Sequence, residues 1–389
     1  MRAVRDGDAT SGGHIARAAL LTFSGVLAVI AVHALLHPDT HTVFPTYVEA
    51  ARAFWAGRDL YPGPLFNEYR YSPSFALAFS PFALLHDRLG NALWKIVNGC
   101  ILAVGLRAFA RSVIPAPPSA PILSAVTLLA LPAALISLFD GQANLVMVGA
   151  MLLGLEAAVC ERWNLAAVFL AAAALVKGYP LALALLVGAL WPRRLWARLP
   201  AALTLGLLLP FAFRPPAIAW RQLAQWTVQL GGTPRVRKAG YRSFDMLWSL
   251  LAPPLSPAAY LALSFGTGAA VLALCLHRAR ETSSPRARLT RAYQLFSVWV
   301  VLFGPSAEAA TYAVVGPAIA WAVLEAFTAP RAPAARALLV ASLLCMGPLA
   351  TDLVGPPVRV FLVSHGILQI GALLFLGVLT VQTLRDARA

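Results

Sequence analysis

Lys177 is the residue whose position most needs a chemical explanation. It sits in AAALVKGYPLALALL (171–185), an apolar run with one ammonium and one proline at its centre. A charge at mid-bilayer costs a few kcal/mol at least, so such a group faces protein interior or water and marks a functional site by default. Further polar residues stand at the ends of other apolar runs. They are Arg70 and Tyr71 in EYRYSP, Asp140, Gln142 and Asn144 in FDGQANL, and Tyr179 beside Lys177. Tyr241, Arg242 and Asp245 in AGYRSFDMLW follow, with Glu308, Thr311 and Tyr312 in GPSAEAATYAVV. Lysine and arginine together suit an anionic headgroup, with arginine gripping phosphate through paired N–H···O bonds. Nearby carboxylates supply candidates for a general base acting on a hydroxyl. A purely structural role is the alternative, for instance an interhelical pair between Lys177 and Asp140.

The elements that must position these groups are apolar. Of 389 residues, 59% are hydrophobic and 12% charged, where a soluble domain carries about a quarter charged. With a mean hydropathy of +0.72, the composition points to a polytopic membrane protein. The formal charge of +15 does not indicate nucleic acid, because Lys95, Lys177 and Lys238 are the only lysines. The arginines mostly sit in short links between apolar runs, where they orient a membrane protein. Cys100, Cys160, Cys275 and Cys345 lie far apart, and the seven histidines form no ligand spacing, so neither metal nor cofactor is expected.

Apolar segments fall at about 15–36, 90–110, 120–139, 143–160, 163–176, 180–192, 197–213, 258–277, 292–304, 308–327, 336–352 and 359–384. These predict about twelve transmembrane helices in one membrane-embedded unit, 1–389. Arginine-rich WPRRLWARL (191–199), HRARETSSPRARLTRAY (277–293) and LRDARA (384–389) are expected to be cytoplasmic, together with a short tail at 1–14. The stretches 37–89 and 214–257, the link GPSAE (304–308) and the GQAN and KGYP turns then fall outside the cytoplasm. Within 37–89, Phe44, Val48, Ala51, Phe54 and Trp55 share a helical face opposite Glu49, Arg52 and Arg58, which predicts a helix lying flat on the membrane. Gly57, Pro62 and Pro64 end it. YSPSFALAFSPFALL (71–85) is expected as a re-entrant or surface segment.

In this order, AARAFWAGRDLY, YRYSPSFALAFSPFALL, ALWKIVNGCIL, DGQANLVMVGAMLLGLEAA, AAALVKGYPLALALLVGALWPRR and GPSAEAATYAVVGPAIAWAVLEA resemble glycosyltransferase family 87, from about residue 40 to 328. These are GT-C-type membrane enzymes whose best-known members are polyprenyl-phosphate-mannose-dependent α-1,2-mannosyltransferases. The resemblance implies a GT-C-like all-α fold, a polyprenyl-phosphate sugar donor and transfer outside the cytoplasm. It also implies an inverting single displacement without metal. Lys177 matches the family's lysine in its A-L-K-x-x-P turn, Gln142 and Asn144 its G-Q-x-N segment, and Tyr71 and Pro73 its Y-x-P element. Two positions depart from the pattern. The first-loop aspartate of the mannosyltransferases reads Val43, and their S-P-x-x-W-D-H element reads GPSAEAAT, with Glu308 near the aspartate's place.

The base is therefore open among Glu308, Asp39 and Asp245, with Glu308 favoured because it opens a helix at the outer face. Lys177, Arg242 and Arg70 are the expected donor-phosphate ligands, and Tyr71, Gln142, Asn144, Tyr179 and Tyr312 the expected substrate contacts. The leading expectation is a hexosyltransferase of the plasma (inner) membrane acting on a lipid or glycan hydroxyl. A transporter or flippase of lipid-linked sugar is the rival from another class, since broken helices with buried charge also mark transporters. A non-catalytic relative that binds such lipids is the third reading, motivated by Val43.

Overall fold

The computed structural model describes residues 2–62, 69–231, 240–305, 307–329 and 331–385. The expected helix stop at Pro64, Ser306 of the GPSAE link and the last four residues of LRDARA lie outside them. In chain order the helices are α1 (Arg2–Leu36), α2 (Phe44–Ala56), α3 (Pro73–Ala83), α4 (Asp87–Ala108), α5 (Ala120–Phe139) and α6 (Asn144–Val159). Then come α7 (Trp163–Val176), α8 (Pro180–Leu190), α9 (Pro192–Leu195), α10 (Arg198–Leu208), α11 (Pro216–Gly231) and α12 (Phe244–Trp248). The last are α13 (Pro257–Glu281), α14 (Pro285–Phe303), α15 (Gly316–Thr328), α16 (Pro333–Met346), α17 (Pro356–Ser364) and α18 (Ile367–Arg385). Among the described residues one isolated bridge, Tyr241 to Glu308, is the sole β pairing.

Among the described residues, seven helical stretches are long and apolar enough to cross a membrane: Gly13–Leu36, Asp87–Val113, Ala120–Phe139, Pro192–Ala212, Pro257–Glu281, Pro333–Ala350 and Ile367–Leu384. The chain is an all-α polytopic membrane protein. The expected twelve crossings also counted α6, α7 and α8, which are apolar but shorter, together with α14 and α15. Of these two, α14 carries Arg286, Arg288 and Arg291 in its first turns, and α15 has 13 residues. The predicted segment 359–384 is split into α17 and α18 by Gly366, whose φ of +84° a side chain would strain. Residues 2–14, expected as a tail, extend α1.

The chain divides into two compact units. The first comprises residues 28–102 and 137–238. Its core is aromatic: Phe44, Tyr47, Phe54, Tyr71, Phe75, Phe79 and Trp94 are all buried. Tyr47 meets Tyr71, Phe75, Phe79 and Trp94 edge-on at centroid distances of 5.0–6.0 Å, the offset geometry that ring quadrupoles favour. This packing corrects the expectation for α2. Its apolar face is buried in protein, with Phe44, Val48, Ala51 and Phe54 each 4% exposed or less, and does not lie on lipid. Trp55 leaves that face and is 44% exposed. The other side of α2 is ionic, with Arg58 3.0 Å from Glu49 and Arg52 3.8 Å from Asp87. With 11 residues, α3 spans about 16 Å, well short of a hydrocarbon core of about 30 Å. Exposed Trp196 precedes α10, and exposed Phe213, 6.1 Å from the Trp55 ring, follows it.

The second unit comprises residues 1–27, 103–136 and 239–389. Its centre is α14, buried at nearly every position from Leu289 to Phe303. Thr290 donates to the Val113 carbonyl at 3.0 Å and Tyr293 to the Val314 carbonyl at 2.8 Å, so these two polar groups are partnered in the interior. Small residues let helices approach: a Cβ on Gly316 would lie 3.0 Å from the Ala130 carbonyl oxygen, and one on Gly371 2.7 Å from Cys345 Cβ.

Candidate functional site

Four turns meet at one pole of the first unit. The YSP turn starts α3: Ser72 is its N-cap, accepting from the Phe75 N–H at 3.2 Å, with Pro73 at the first helical position. The same hydroxyl donates to the Leu175 carbonyl at 2.6 Å, tying this turn to the end of α7. There Lys177 leaves helical geometry (φ −137°, ψ 143°), and Pro180 starts α8 three residues on. The half-buried Lys177 places its ammonium 5.6 Å from the centre of the Tyr71 ring, within cation–π range. The N-terminus of α8 adds a partial positive charge beside it.

From Tyr71 the contacts run inward. Its hydroxyl lies 2.6 Å from that of Tyr47, which accepts the Ala143 N–H at 3.2 Å. Lys177, Tyr71, Tyr47 and the GQAN turn thus form one connected series. Two further phenols hold the YSP backbone: Tyr61 donates to the Tyr71 carbonyl at 2.7 Å and Tyr69 to the Ser72 carbonyl at 3.0 Å. Burial pushes both phenols well above their ordinary pKa, so both remain hydroxyl donors.

The GQAN turn is built from α4. Asn98 donates to the Gln142 carbonyl at 2.6 Å and accepts the Val146 N–H at 2.8 Å. Trp94 donates to the Gly141 carbonyl at 2.6 Å, and the fully buried Lys95 to the Phe139 carbonyl at 2.6 Å. Gly141 has φ +66°, and a Cβ there would lie 3.3 Å from Lys95 Cε. Asn144 donates to Gln142 Oε1 at 2.9 Å, so these two expected contacts hold one another in place. Trp94, Lys95 and Asn98 had not been singled out in the sequence. The signal was present, since Lys95 is a charge inside an apolar run just as Lys177 is.

The exposed Asp39 lies in the turn between α1 and α2. Asn91 donates to the Pro38 carbonyl at 3.1 Å, and the Val43 N–H to the Asp140 carbonyl at 3.0 Å, so this turn is fastened to the α5–α6 turn. Arg70 is half-buried, and its carbonyl accepts the Trp226 indole N–H at 3.3 Å. Tyr179 is the N-cap residue of α8. Seven expected residues therefore fall in the first unit: Asp39, Arg70, Tyr71, Gln142, Asn144, Lys177 and Tyr179.

The other four gather in the second unit. Tyr241 and Glu308 pair across the isolated bridge, and the Arg242 N–H donates to the Ala307 carbonyl at 2.6 Å. Tyr312 donates to the Arg242 carbonyl at 2.9 Å. Burial lowers the Arg242 guanidinium from its ordinary value, and Tyr312 offsets part of that; the group stays charged. Glu308 forms a capping box with Thr311, whose hydroxyl accepts the Glu308 N–H at 3.1 Å, and so starts a 3₁₀ turn over Ala309–Val314. Asp245 lies in α12, one short turn further along. Chemically, this cluster offers a carboxylate, a guanidinium and a phenol held by backbone pairing. Among the described residues no three His, Cys, Asp or Glu side chains gather as metal ligands.

No curated protein matches the chain. The solved structure of ArnT from Cupriavidus metallidurans bound to undecaprenyl phosphate is similar at a TM-score of 0.41 and 17% identity, over 95% of this chain and 76% of that one. The sequence profile described as glycosyltransferase family 87 matches residues 69–305. That range takes in the YSP, GQAN and KGYP turns and more than half of the 389 residues. The chain belongs to glycosyltransferase family 87.

Proposed function

We propose that the protein is a GT-C-type hexosyltransferase that moves a sugar, mannose favoured, from a polyprenyl-phosphate donor to a lipid or glycan hydroxyl. The observation that carries the reading is Lys177, a cation at a helix break with its ammonium over the Tyr71 ring. In the reaction the acceptor oxygen attacks the anomeric carbon and the bond to phosphate oxygen breaks, with inversion. The acceptor's proton passes to a carboxylate, and polyprenyl phosphate leaves as the anion. Lys177 stabilises the charge that grows on the leaving phosphate, where a fixed cation in a dry site is worth most. Arg242 and Arg70 are further phosphate ligands in this reading, and Tyr71, Gln142, Asn144, Tyr179 and Tyr312 contact substrate. The enzyme sits in the plasma (inner) membrane with both termini cytoplasmic and its chemistry outside.

The test is release of polyprenyl phosphate by purified protein in liposomes, offered a panel of polyprenyl-phosphate sugars with an acceptor extract. Acceptor-dependent release that disappears in Lys177→Gln, in a variant that still folds, supports the reading. Full release by that variant removes Lys177 from the site.

Glu308 is the favoured base, with Asp39 and Asp245 behind it. The capping box favours a second reading for Glu308, as a cap alone. Glu308→Gln keeps an acceptor oxygen for the cap and removes the base. Turnover falls about a hundredfold or more if Glu308 is the base and holds if it only caps.

A further inference from the structure

In the first unit, α11 is sided the opposite way from a helix that faces water. The residues it turns into the protein are Ala219, Gln222, Trp226 and Gln229, all buried. At about 100° per residue, Ala217, Trp220, Ala224 and Val228 fall on the other side. All four are exposed, Trp220 by 65% and Val228 by 62%. In water the glutamines would face out and the tryptophan and valine in.

The inward polar groups have acceptors to serve. Gln222 donates to the Arg58 carbonyl at 3.0 Å, and Arg221, from the edge of the outward face, to the Gly57 carbonyl at 2.7 Å. These carbonyls stand just past the end of α2, where helical partners run out. Further along, Trp226 holds the Arg70 carbonyl beside the YSP turn. The helix is thus fastened to the protein by its polar side, and its apolar side is left over.

The surroundings say what covers that side. It continues the exposed surface of the preceding span, Pro192–Ala212, through Leu205, Leu208, Leu209 and Phe213. The link 213–215 reaches about 14 Å at most when extended. Here it is folded back, since the Phe213 and Arg214 N–H groups both donate to the Pro210 carbonyl, at 3.1 and 3.0 Å. The polar layer of one leaflet is about 5–8 Å deep, so a helix tethered this closely to the end of a span starts at the headgroups. Charge points the same way. From Arg214 to Lys238 the sequence carries four arginines, one lysine and neither Asp nor Glu. Such a segment is drawn to lipid phosphates, whereas a second copy of this chain would bring the same positive segment against it.

We infer that α11 is an interfacial helix, lying along the leaflet at the Phe213 end of the span. Ala217, Trp220, Ala224 and Val228 sit among the headgroups and first acyl carbons, and the lipid surface is the partner. Through its other side α11 fastens the end of α2 and the backbone at Arg70 to that surface. The inference stands apart from the proposed reaction, because it uses no side chain assigned to donor, acceptor or base.

The experiment uses the full-length protein in nanodiscs of phosphatidylcholine and phosphatidylglycerol. The exposed thiols are removed by Cys100→Ala and Cys160→Ala, while Cys275 and Cys345 are buried. Trp220→Cys, Ala224→Cys or Val228→Cys, one at a time, then carries a nitroxide, with Leu205→Cys as the reference within the span. Power saturation compares collisions with oxygen, which partitions into lipid, and with a nickel chelate, which stays in water. Oxygen should dominate at all three α11 positions, at one common depth about 5–10 Å into the headgroup and acyl boundary and shallower than Leu205. If one label prevents folding, the other two positions decide. Dominant nickel collisions place the face in water and overturn the inference. Low access to both reagents also overturns it, because protein then covers the face. So does a depth that grows from Trp220 to Val228 and passes Leu205, which makes α11 a crossing helix.

Discussion

Replacing Asn98 with alanine removes two hydrogen bonds at once from the turn that carries Gln142 and Asn144. The Asn98 side chain is fully buried, donates to the Gln142 carbonyl at 2.6 Å and accepts the Val146 N–H at 2.8 Å. Val146 lies in the first turn of α6, where N–H groups have no intrahelical acceptor, so its amide finds no ready replacement. Leaving a buried polar group without its partner costs about 1–3 kcal/mol each, and partial relaxation brings the pair to about 2–4 kcal/mol. For a cooperative unit of 150–250 residues, that lowers the thermal midpoint by roughly 5–15 °C. The assay is thermal unfolding of the purified protein in detergent, with polyprenyl phosphate release measured on the same preparation. Asn98→Asp keeps an acceptor for Val146 but turns a second oxygen towards the Gln142 carbonyl, and should not rescue. An Asn98→Ala midpoint within about 1 °C of wild type would refute the argument that α4 builds this turn.

Substitutions at two other positions test neighbouring links by the same assays. Gly141→Ala forces a side chain into a left-handed position and should cost about 1–2 kcal/mol, while Gly141→Asn, which tolerates that region, costs visibly less; equal losses would point to crowding against Lys95 instead of backbone strain. Ser72→Ala loses the cap of α3 and the bond to the Leu175 carbonyl, about 2 kcal/mol together, and should reduce release by loosening Tyr71 beneath Lys177. Lost stability with unchanged release would separate the YSP turn from the chemistry.

The membrane class was legible because it rests on composition, and Lys177 was legible because a charge in an apolar run must be explained. Lys95 met the same criterion and was passed over inside ALWKIVNG; its ammonium caps the Phe139 carbonyl across 44 residues, a pairing no local pattern encodes. Periodicity gave the apolar face of α2 but not what covers it, since lipid and an aromatic core present the same need for Phe44 and Phe54. Arg242 and Glu308 were each noted as polar residues near helix ends. That Tyr241 pairs with Glu308 depends on where the intervening helices return the chain, which the residue types do not state. The break at Gly366 was hidden within an otherwise continuous apolar stretch.

The exposed aromatics at the two ends of α10 carry a consequence for how the first unit rides in its bilayer. Trp196 stands before the helix, and Phe213, beside Trp55, stands after it. Between Trp196 and Phe213 the chain rises some 25 Å, close to the thickness of a hydrocarbon core. Trp rings settle at the headgroup level and act as waterlines, which makes Trp196 and Trp55 the markers. A bilayer a few ångströms thicker must thin around the unit or tilt it, each at a fraction of a kcal/mol per ångström. Because α2 keeps its apolar face inside the protein, it offers no second float to absorb the mismatch. Bilayer thickness therefore bears on the depth at which the KGYP turn sits, and under the proposed function acyl-chain length becomes a control on how a lipid-borne substrate meets Lys177.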